Sequence, residues 1–204
     1  MKICIGNFKG GTGKTCTAVH LALGLSRSGR TLLVDADPDQ SGAVDWSELA
    51  EDWPAEQCTV IACATRDLTR RIAPMVADYE HLVLDTGPKN PVLLRQAMAL
   101  AEHIVVPVKP TSHDLPEIVK TFDLAAEVDA ISPTTAAVLL VDVDRRWSSE
   151  REARELFAAQ QFPTMRSQVR HLRRFAYSRG TAPLDDLGDY EDVLAELHEE
   201  GQEQ

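Results

Sequence analysis

The sequence predicts an α/β fold, a single domain over residues 1–204 built on a parallel sheet with helices on both faces. Three observations predict it. Short apolar runs alternate with segments of helical periodicity along the whole chain. The first run leads straight into a glycine loop and a helix, Lys9-Gly10-Gly11-Thr12-Gly13-Lys14-Thr15. Two later runs end in aspartate, Asp35 and Asp85, where a parallel sheet opens its ligand crevice. No internal repeat or linker interrupts the alternation. A chain of 204 residues can bury a full core without staples.

Ile3-Cys4-Ile5 is the first strand, and Ala18, Val19, Leu21, Ala22, Leu23 and Leu25 recur at helical spacing after the loop. Glycines without Cβ let backbone N–H groups close around an anion. The helix N-terminus adds unpaired donors and partial positive charge. Lys14 is placed to reach β- and γ-phosphates, and the Thr15 hydroxyl to bind Mg²⁺. The strict phosphate-loop pattern G-x-x-x-x-G-K-[ST] fails at one position, because Phe8 replaces its first glycine. A second lysine, Lys9, precedes the glycine pair. Lys14 already serves the chain's own phosphates, so Lys9 fits those of a neighbour.

The helix stops at Gly29, and Thr31-Leu32-Leu33-Val34 forms a buried strand ending in Asp35-Ala36-Asp37-Pro38. Carboxylates two residues apart on an extended chain share a face, where they can orient an attacking water and the outer waters of Mg²⁺. The plainer alternative is an Asp-Pro turn with solvated acids. Residues 47–57 are acidic and irregular and read as a surface helix and loop. A strand follows over 58–64 and an amphipathic helix over 67–77, with Leu68, Ile72 and Val76 on one face. The run His81 to Leu84 ends at Asp85, the Walker B form, in which the carboxylate holds Mg²⁺ through a water. Gly87-Pro88 opens a loop able to move with the γ-phosphate. Beyond it the pattern predicts helices over 91–101, 118–128, 151–160 and 189–200 and strands over 103–108 and 134–141. The segment 169–177 also reads as helical, before a break at Gly180-Thr181-Ala182-Pro183. The terminal helix is acidic, with Val193, Leu194 and Leu197 as a thin apolar edge.

Cys4, Cys16, Cys58 and Cys63 are expected as thiols. Cys58 and Cys63 lie an odd number of residues apart on a strand, so they point to opposite faces and share no metal. No apolar run is long enough to span a bilayer. The N-terminal residues run directly into the loop and lack a signal peptide's apolar core, so the expected location is cytoplasmic. The formal net charge is -11, which by itself argues against a nucleic-acid partner. Its placement is uneven, however. Residues 145–179 hold nine arginines and three acids, and residues 185–204 hold nine acids and no lysine or arginine.

Lys9-Gly10-Gly11-Thr12-Gly13-Lys14-Thr15 resembles the deviant Walker A motif of ParA/MinD-type P-loop ATPases. The likeness extends through Asp35-Ala36-Asp37-Pro38 and Leu82 to Thr86 and covers nearly all of the chain. It is strongest to the small ParF-like partition ATPases, through Ser41 to Ser47 and through the Pro-Val-Lys-Pro stretch at 107–110. The resemblance implies a weak, partner-stimulated ATPase with ATP and Mg²⁺ as ligands. Residues 9–16, Cys16 included, would hold the nucleotide, and Thr15, Asp85 and Asp35 would serve the metal. Asp37, Lys9 and Lys14 would act in catalysis, with Lys9 crossing to the partner subunit's nucleotide in an ATP-bound homodimer. Cys16 departs from the family's usual Thr or Ser, and Asp39 looks like an insertion before Gln40.

Proteins resembling this one bind nucleoid DNA without sequence preference, as ATP dimers. Read as a helix, Arg166, Arg170, Arg173 and Arg174 line one face and supply the basic surface. The alternatives are a solvated face, or arginines paired with the acidic terminal helix. The implied partner is a ParB-type centromere-binding protein or a cargo adaptor, without membrane binding. Plasmid or chromosome partition and the positioning of a protein compartment such as a carboxysome remain equally open. A nucleotide-binding regulatory module without significant hydrolysis is the reading from a different class.

Overall fold

A computed structural model describes residues 1–39, 42–110, 115–144 and 149–202, with the side chain of Gln202 excluded. Gln40, Ser41, Arg145 and Arg146, which entered the sequence reading, lie outside the described residues. The strands are β1 (Lys2–Ile5), β2 (Thr31–Ala36), β3 (Cys58–Ala62), β4 (His81–Thr86), β5 (His103–Val108), β6 (Thr135–Val143) and β7 (Thr164–Arg170). The helices are α1 (Lys14–Leu25), α2 (Gly42–Leu49), α3 (Leu68–Val76), α4 (Pro91–Met98), α5 (Leu115–Asp129), α6 (Ser149–Ala159), α7 (Arg173–Ala176) and α8 (Tyr190–Gln202).

All seven strands form one sheet in the order β3-β2-β4-β1-β5-β6-β7, and every pairing is parallel. Strands buried on both faces read as continuous apolar runs, which is why β2, β4 and β5 were legible. Alternate residues feed two cores. Cys4, Leu32, Leu82 and Leu84 pack with α3, α4, α5 and α6, while Ile3, Ile5, Leu33 and Val83 pack with α1, α2 and α8. Cys58 and Cys63 fall in opposite cores, as their odd spacing requires.

The sheet sets the site. From β1 the chain crosses to β2 on one side, and from β4 it crosses to β5 on the other. The loops after β1, β2 and β4 therefore open together at a switch point. Ile5 pairs with Asp85, and Asp85 pairs with Asp35. One row across three strands thus brings both carboxylates to the end of β1. By the two-residue period they share the face of Leu33 and Val83, the side on which α1 lies.

The expected helix over 169–177 is corrected. Residues Thr164–Arg170 form the edge strand β7, and only Arg173–Ala176 make a single helical turn. Met165 and Val169 are the buried residues of β7. A spacing of four residues suits one face of either a helix or a strand, so the apolar period did not discriminate. Tertiary pairing with β6 decided it. Consequently Arg166, Arg170, Arg173 and Arg174 do not line a helical face. The terminal helix α8 is more deeply packed than a thin edge suggests: Tyr190, Val193 and Leu197 are at most 2 % exposed. It lies against α1 at Gly24, where an added Cβ would stand 2.2 Å from Leu194 Cδ1.

Candidate nucleotide site

The loop between β1 and α1 needs glycine at two points, since Gly11 and Gly13 have φ of 73° and 83°, a region open to residues without Cβ. Buried Asn7 holds the loop's entry. Its Nδ2 donates to Pro107 O at 2.9 Å, and its Oδ1 accepts from Lys9 N at 2.9 Å. The first turn of α1 contains no acidic residue, so its amides and dipole present an uncompensated positive end.

Lys14 is 7 % exposed and its Nζ donates to Lys9 O at 2.8 Å. Burial lowers its pKa, against the charges of Asp85 and Asp37, which favour the ammonium. Asp85 is buried, and neither carboxylate oxygen has a hydrogen-bond partner among the described residues. Burial pushes its carboxyl up to about 7, and the charge of Asp35 adds to the rise, while the Thr15 hydroxyl and Lys14 oppose it. Four buried side-chain polar atoms lack partners among the described residues. Three are here, the two Asp85 oxygens and Thr12 Oγ1. Buried polar atoms are ordinarily satisfied, and a buried carboxylate with a threonine hydroxyl beside it suits a hydrated divalent cation. The residues present therefore fit Mg²⁺.

Asp35 has a different position. Its Oδ2 accepts from Ala43 N at 2.9 Å and Val44 N at 3.2 Å, and its Oδ1 accepts from Asp37 N at 3.2 Å. Burial raises its pKa, and these three amides lower it. Asp35 thus ties the start of α2 and the Asp37 loop to the sheet. Asp37 Oδ1 accepts from Asp39 N at 3.0 Å. Opposite it stands Gly87, where an added Cβ would lie 2.6 Å from Asp37 Oδ1. A Cβ at Gly42 would lie 3.0 Å from Thr15 Oγ1. Both glycines are missing side chains that would otherwise fill the crevice, and neither role was visible in the sequence.

Lys9 lines a groove of about 1030 Å³ with Gly10, Asp39, Pro88, Lys89 and Lys120. On the other flank a cavity of about 300 Å³ is walled by Gly11, Gly13, Cys16, Val141, Leu172 and Phe175. Lys109 and Asp142 stand at its rim, paired at 3.0 Å. Asp142 has φ of 61°, and its carboxylate also meets His171 Nδ1. Sequence reasoning missed this pair; the signal available was a lysine directly after one buried strand and an aspartate near the end of the next.

Cys16 faces inward rather than toward solvent alone. Its Sγ lies 3.7 Å from His20 Nδ1 and 3.8 Å from the Tyr190 hydroxyl, and burial raises its pKa. His20 Nδ1 lies 2.7 Å from Cys16 O, its ring stacks on Tyr190 at 4.6 Å, and burial lowers its pKa to about 4.

Of the four arginines, Arg170 lines the cavity beside Gly13, and Arg166, Arg173 and Arg174 line neither cavity. Arg166 meets Glu196 and Glu199, Arg170 meets Asp189, and Arg174 meets Asp186. The guanidinium of Arg173 lies over the Tyr177 ring, 5.6 Å from its centroid. The pairing with the acidic terminal segment, raised as an alternative from the sequence, is the arrangement observed.

The comparisons with known proteins agree with this geometry. The family described as the CobQ/CobB/MinD/ParA nucleotide binding domain matches residues 3–200. A maintenance of carboxysome distribution protein A from Gloeobacter kilaueensis is 33 % identical over 177 residues, covering 82 % of this chain and 76 % of that protein. A chromosome partitioning protein ParA from Myxococcus xanthus is 30 % identical over 145 residues, 52 % of this chain and 51 % of that one. A Cyanothece McdA–ATP complex shares the fold with a TM-score of 0.77 at 15 % identity, over 97 % of this chain and 96 % of that one. With a glycine loop, two buried aspartates in register and a match over almost its full length, the chain belongs to the CobQ/CobB/MinD/ParA nucleotide-binding domain family.

Proposed function

We propose that this protein is a Mg²⁺-dependent ATPase that dimerises around its nucleotide and partitions or positions DNA through non-specific binding to the nucleoid. The observation that carries the catalytic half is the buried, unpartnered carboxylate of Asp85, set beside Thr15 and Lys14 at the foot of the glycine loop. Lys14 and the loop amides would bind the phosphates. Thr15 would hold the metal directly, Asp85 through a water, and Asp35 would brace the surrounding backbone. When bound, Mg²⁺ supplies positive charge that screens the phosphate oxygens. The cavity beside Gly13 would take the base, between apolar walls and the Lys109–Asp142 rim.

In hydrolysis a water oxygen bonds to the γ-phosphorus, the bond to the β,γ-bridging oxygen breaks, and ADP leaves. Asp37 would orient that water and accept hydrogen bonding from it, a contribution of positioning rather than of covalent chemistry. A loosely held attacking water would give slow turnover, and a partner that tightens the switch loops around it would stimulate the reaction. Lys9, which lines the open groove rather than its own loop's interior, would reach the second subunit's phosphates. The partner would be a ParB-type centromere-binding protein.

The 33 % identity to a carboxysome distribution protein favours a second reading, in which the cargo is a protein compartment and the partner a cargo adaptor. Both readings use the same ATPase. The test of the first step is turnover: Asp37→Ala should bind ATP normally and hydrolyse it at least about tenfold slower. Unchanged turnover would move the water-positioning role elsewhere. Pull-down of candidate adaptors and of centromere-binding proteins in the ATP state separates the two cargos.

A further inference from the structure

Arg166 and Arg170 of β7 and Arg174 of α7 are held by carboxylates from one short stretch of chain, residues 186–199, and those carboxylates are of two kinds. Asp189 and Glu196 are buried, with side chains 8 % and 7 % exposed. Asp189 Oδ2 accepts from Arg170 N at 2.7 Å. Glu196 accepts from Arg166 N through Oε1 and from Ser167 N through Oε2, both at 2.7 Å. These are amides of the edge strand that would otherwise invite pairing with another strand. Asp189 and Glu196 therefore cap the sheet edge and are fixed parts of the fold. Glu199 and Asp186 are different. They are 64 % and 70 % exposed, and their carboxylates hold the guanidinium ends of Arg166, at 2.5 Å, and of Arg174, at 2.8 Å, which also meet the Glu196 carboxylate and the Asp186 main-chain carbonyl respectively. Asp186 Oδ1 also accepts from Gly188 N, a bond that an asparagine would keep.

We infer that Arg166 and Arg174 form a phosphate-contact surface for DNA that the chain masks with its own Glu199 and Asp186. This rests on the DNA reading above. Exposed ion pairs are weak and screened by salt, and a phosphate offers a guanidinium the same two-oxygen geometry as a carboxylate. A polyanion can therefore displace Glu199 and Asp186, while Glu196 and Asp189 stay in place on the backbone. Masking also reconciles a DNA partner with a net charge of -11. The resting surface is nearly neutral at the arginines, and its affinity is set by a competition rather than by the count of arginines.

The experiment measures binding of the full chain to a short mixed-sequence DNA duplex, with ATP and Mg²⁺, by anisotropy over a salt series. Glu199→Gln with Asp186→Asn should bind roughly tenfold tighter than wild type, because two competing charges are removed without loss of either backbone-capping carboxylate. The slope of log K against log salt should steepen by about 0.9 for each additional phosphate contact. Adding Arg166→Gln and Arg174→Gln to that variant should return affinity to the wild-type level or below. ATP turnover without DNA and the melting temperature report whether each variant folds. If wild type binds and the double variant binds with the same affinity and slope, the masking inference is overturned while the DNA reading stands. If neither binds in any nucleotide state, the DNA reading falls and the inference falls with it.

Discussion

Gly87→Ala tests the placement of Asp37 without touching any group that binds phosphate. A Cβ at this position would lie 2.6 Å from Asp37 Oδ1, 2.8 Å from its Cγ and 3.1 Å from its Cα. Non-bonded carbon and oxygen atoms settle near 3.4 Å or beyond, so the carboxylate must retreat by about 0.8 Å. Rotation of the side chain alone does not relieve the contact with Cα, and the loop backbone has to yield as well. Misplacement of a positioning group by about 1 Å costs on the order of 10²-fold in rate, or about 2.7 kcal/mol of barrier. Nucleotide affinity should stay near wild type, because the three atoms nearest the new methyl all belong to Asp37 and none to Lys14, Thr15 or the loop amides. The assay is single-turnover phosphate release at saturating enzyme, beside an equilibrium nucleotide titration. The double variant with Asp37→Ala should be no slower than Asp37→Ala alone, since both changes remove the same contribution. Turnover within about twofold of wild type in Gly87→Ala would refute the claim that Gly87 makes room for a working Asp37.

Three further outcomes are expected. Lys9→Ala should keep nucleotide binding, because Lys14 remains, and should lose the ATP-dependent dimer in light scattering; a normal dimer would remove Lys9 from the interface. His20 is held neutral, its pKa lowered from 6.5 to about 4 by burial, so its contribution to stability is present above 6.5 and lost as pH falls toward 4. Between pH 7 and pH 5 wild type should lose roughly 2 kcal/mol relative to His20→Phe, read as a difference of about 4–8 °C in Tm, and a pH-independent gap would show that His20 does not titrate in this window. Gly24→Ala places its Cβ 2.2 Å from Leu194 Cδ1 and 2.6 Å from Leu187 Cδ1. Overpacking of about 1–3 kcal/mol should outweigh the roughly 1 kcal/mol gain in helix propensity, and a raised melting temperature would show that α8 yields freely.

Much of the site was legible because its chemistry is local. A loop that cradles phosphate needs glycine, lysine and threonine at set intervals within one strand–helix junction, so 9–16 could be read without knowing what lies around it. Asp35 and Asp85 were legible for a related reason: each ends a buried apolar run. What escaped depends on contacts between segments far apart in sequence. Gly87 was visible only as the start of a loop, because its reason is Asp37, fifty residues away. Asp35 was read as orienting the attacking water and the outer waters of Mg²⁺, and its hydrogen bonds to Ala43 and Val44 exist only once α2 folds back over β2. The rim pair is Lys109, directly after β5, and Asp142, within β6, neighbours whose register no local pattern encodes.

The arginine segment marks the boundary between the two kinds of information. By itself the sequence determined the alternation of strands and helices, the phosphate loop, the acidic strand ends and the opposite charges of residues 145–179 and 185–204. It did not determine whether 164–170 is helix or strand, because Met165 and Val169 satisfy both periods. Only the tertiary structure decided that, through the edge of β6, which had unpaired backbone groups to offer. The same choice fixed the fate of the charges. A strand places its outward amides and arginines against Asp189, just before α8, and Glu196 within it, and the basic row becomes a neutralised edge instead of an open face. Local pattern sets which elements are affordable to the backbone, and long-range pairing sets which surface each one shows.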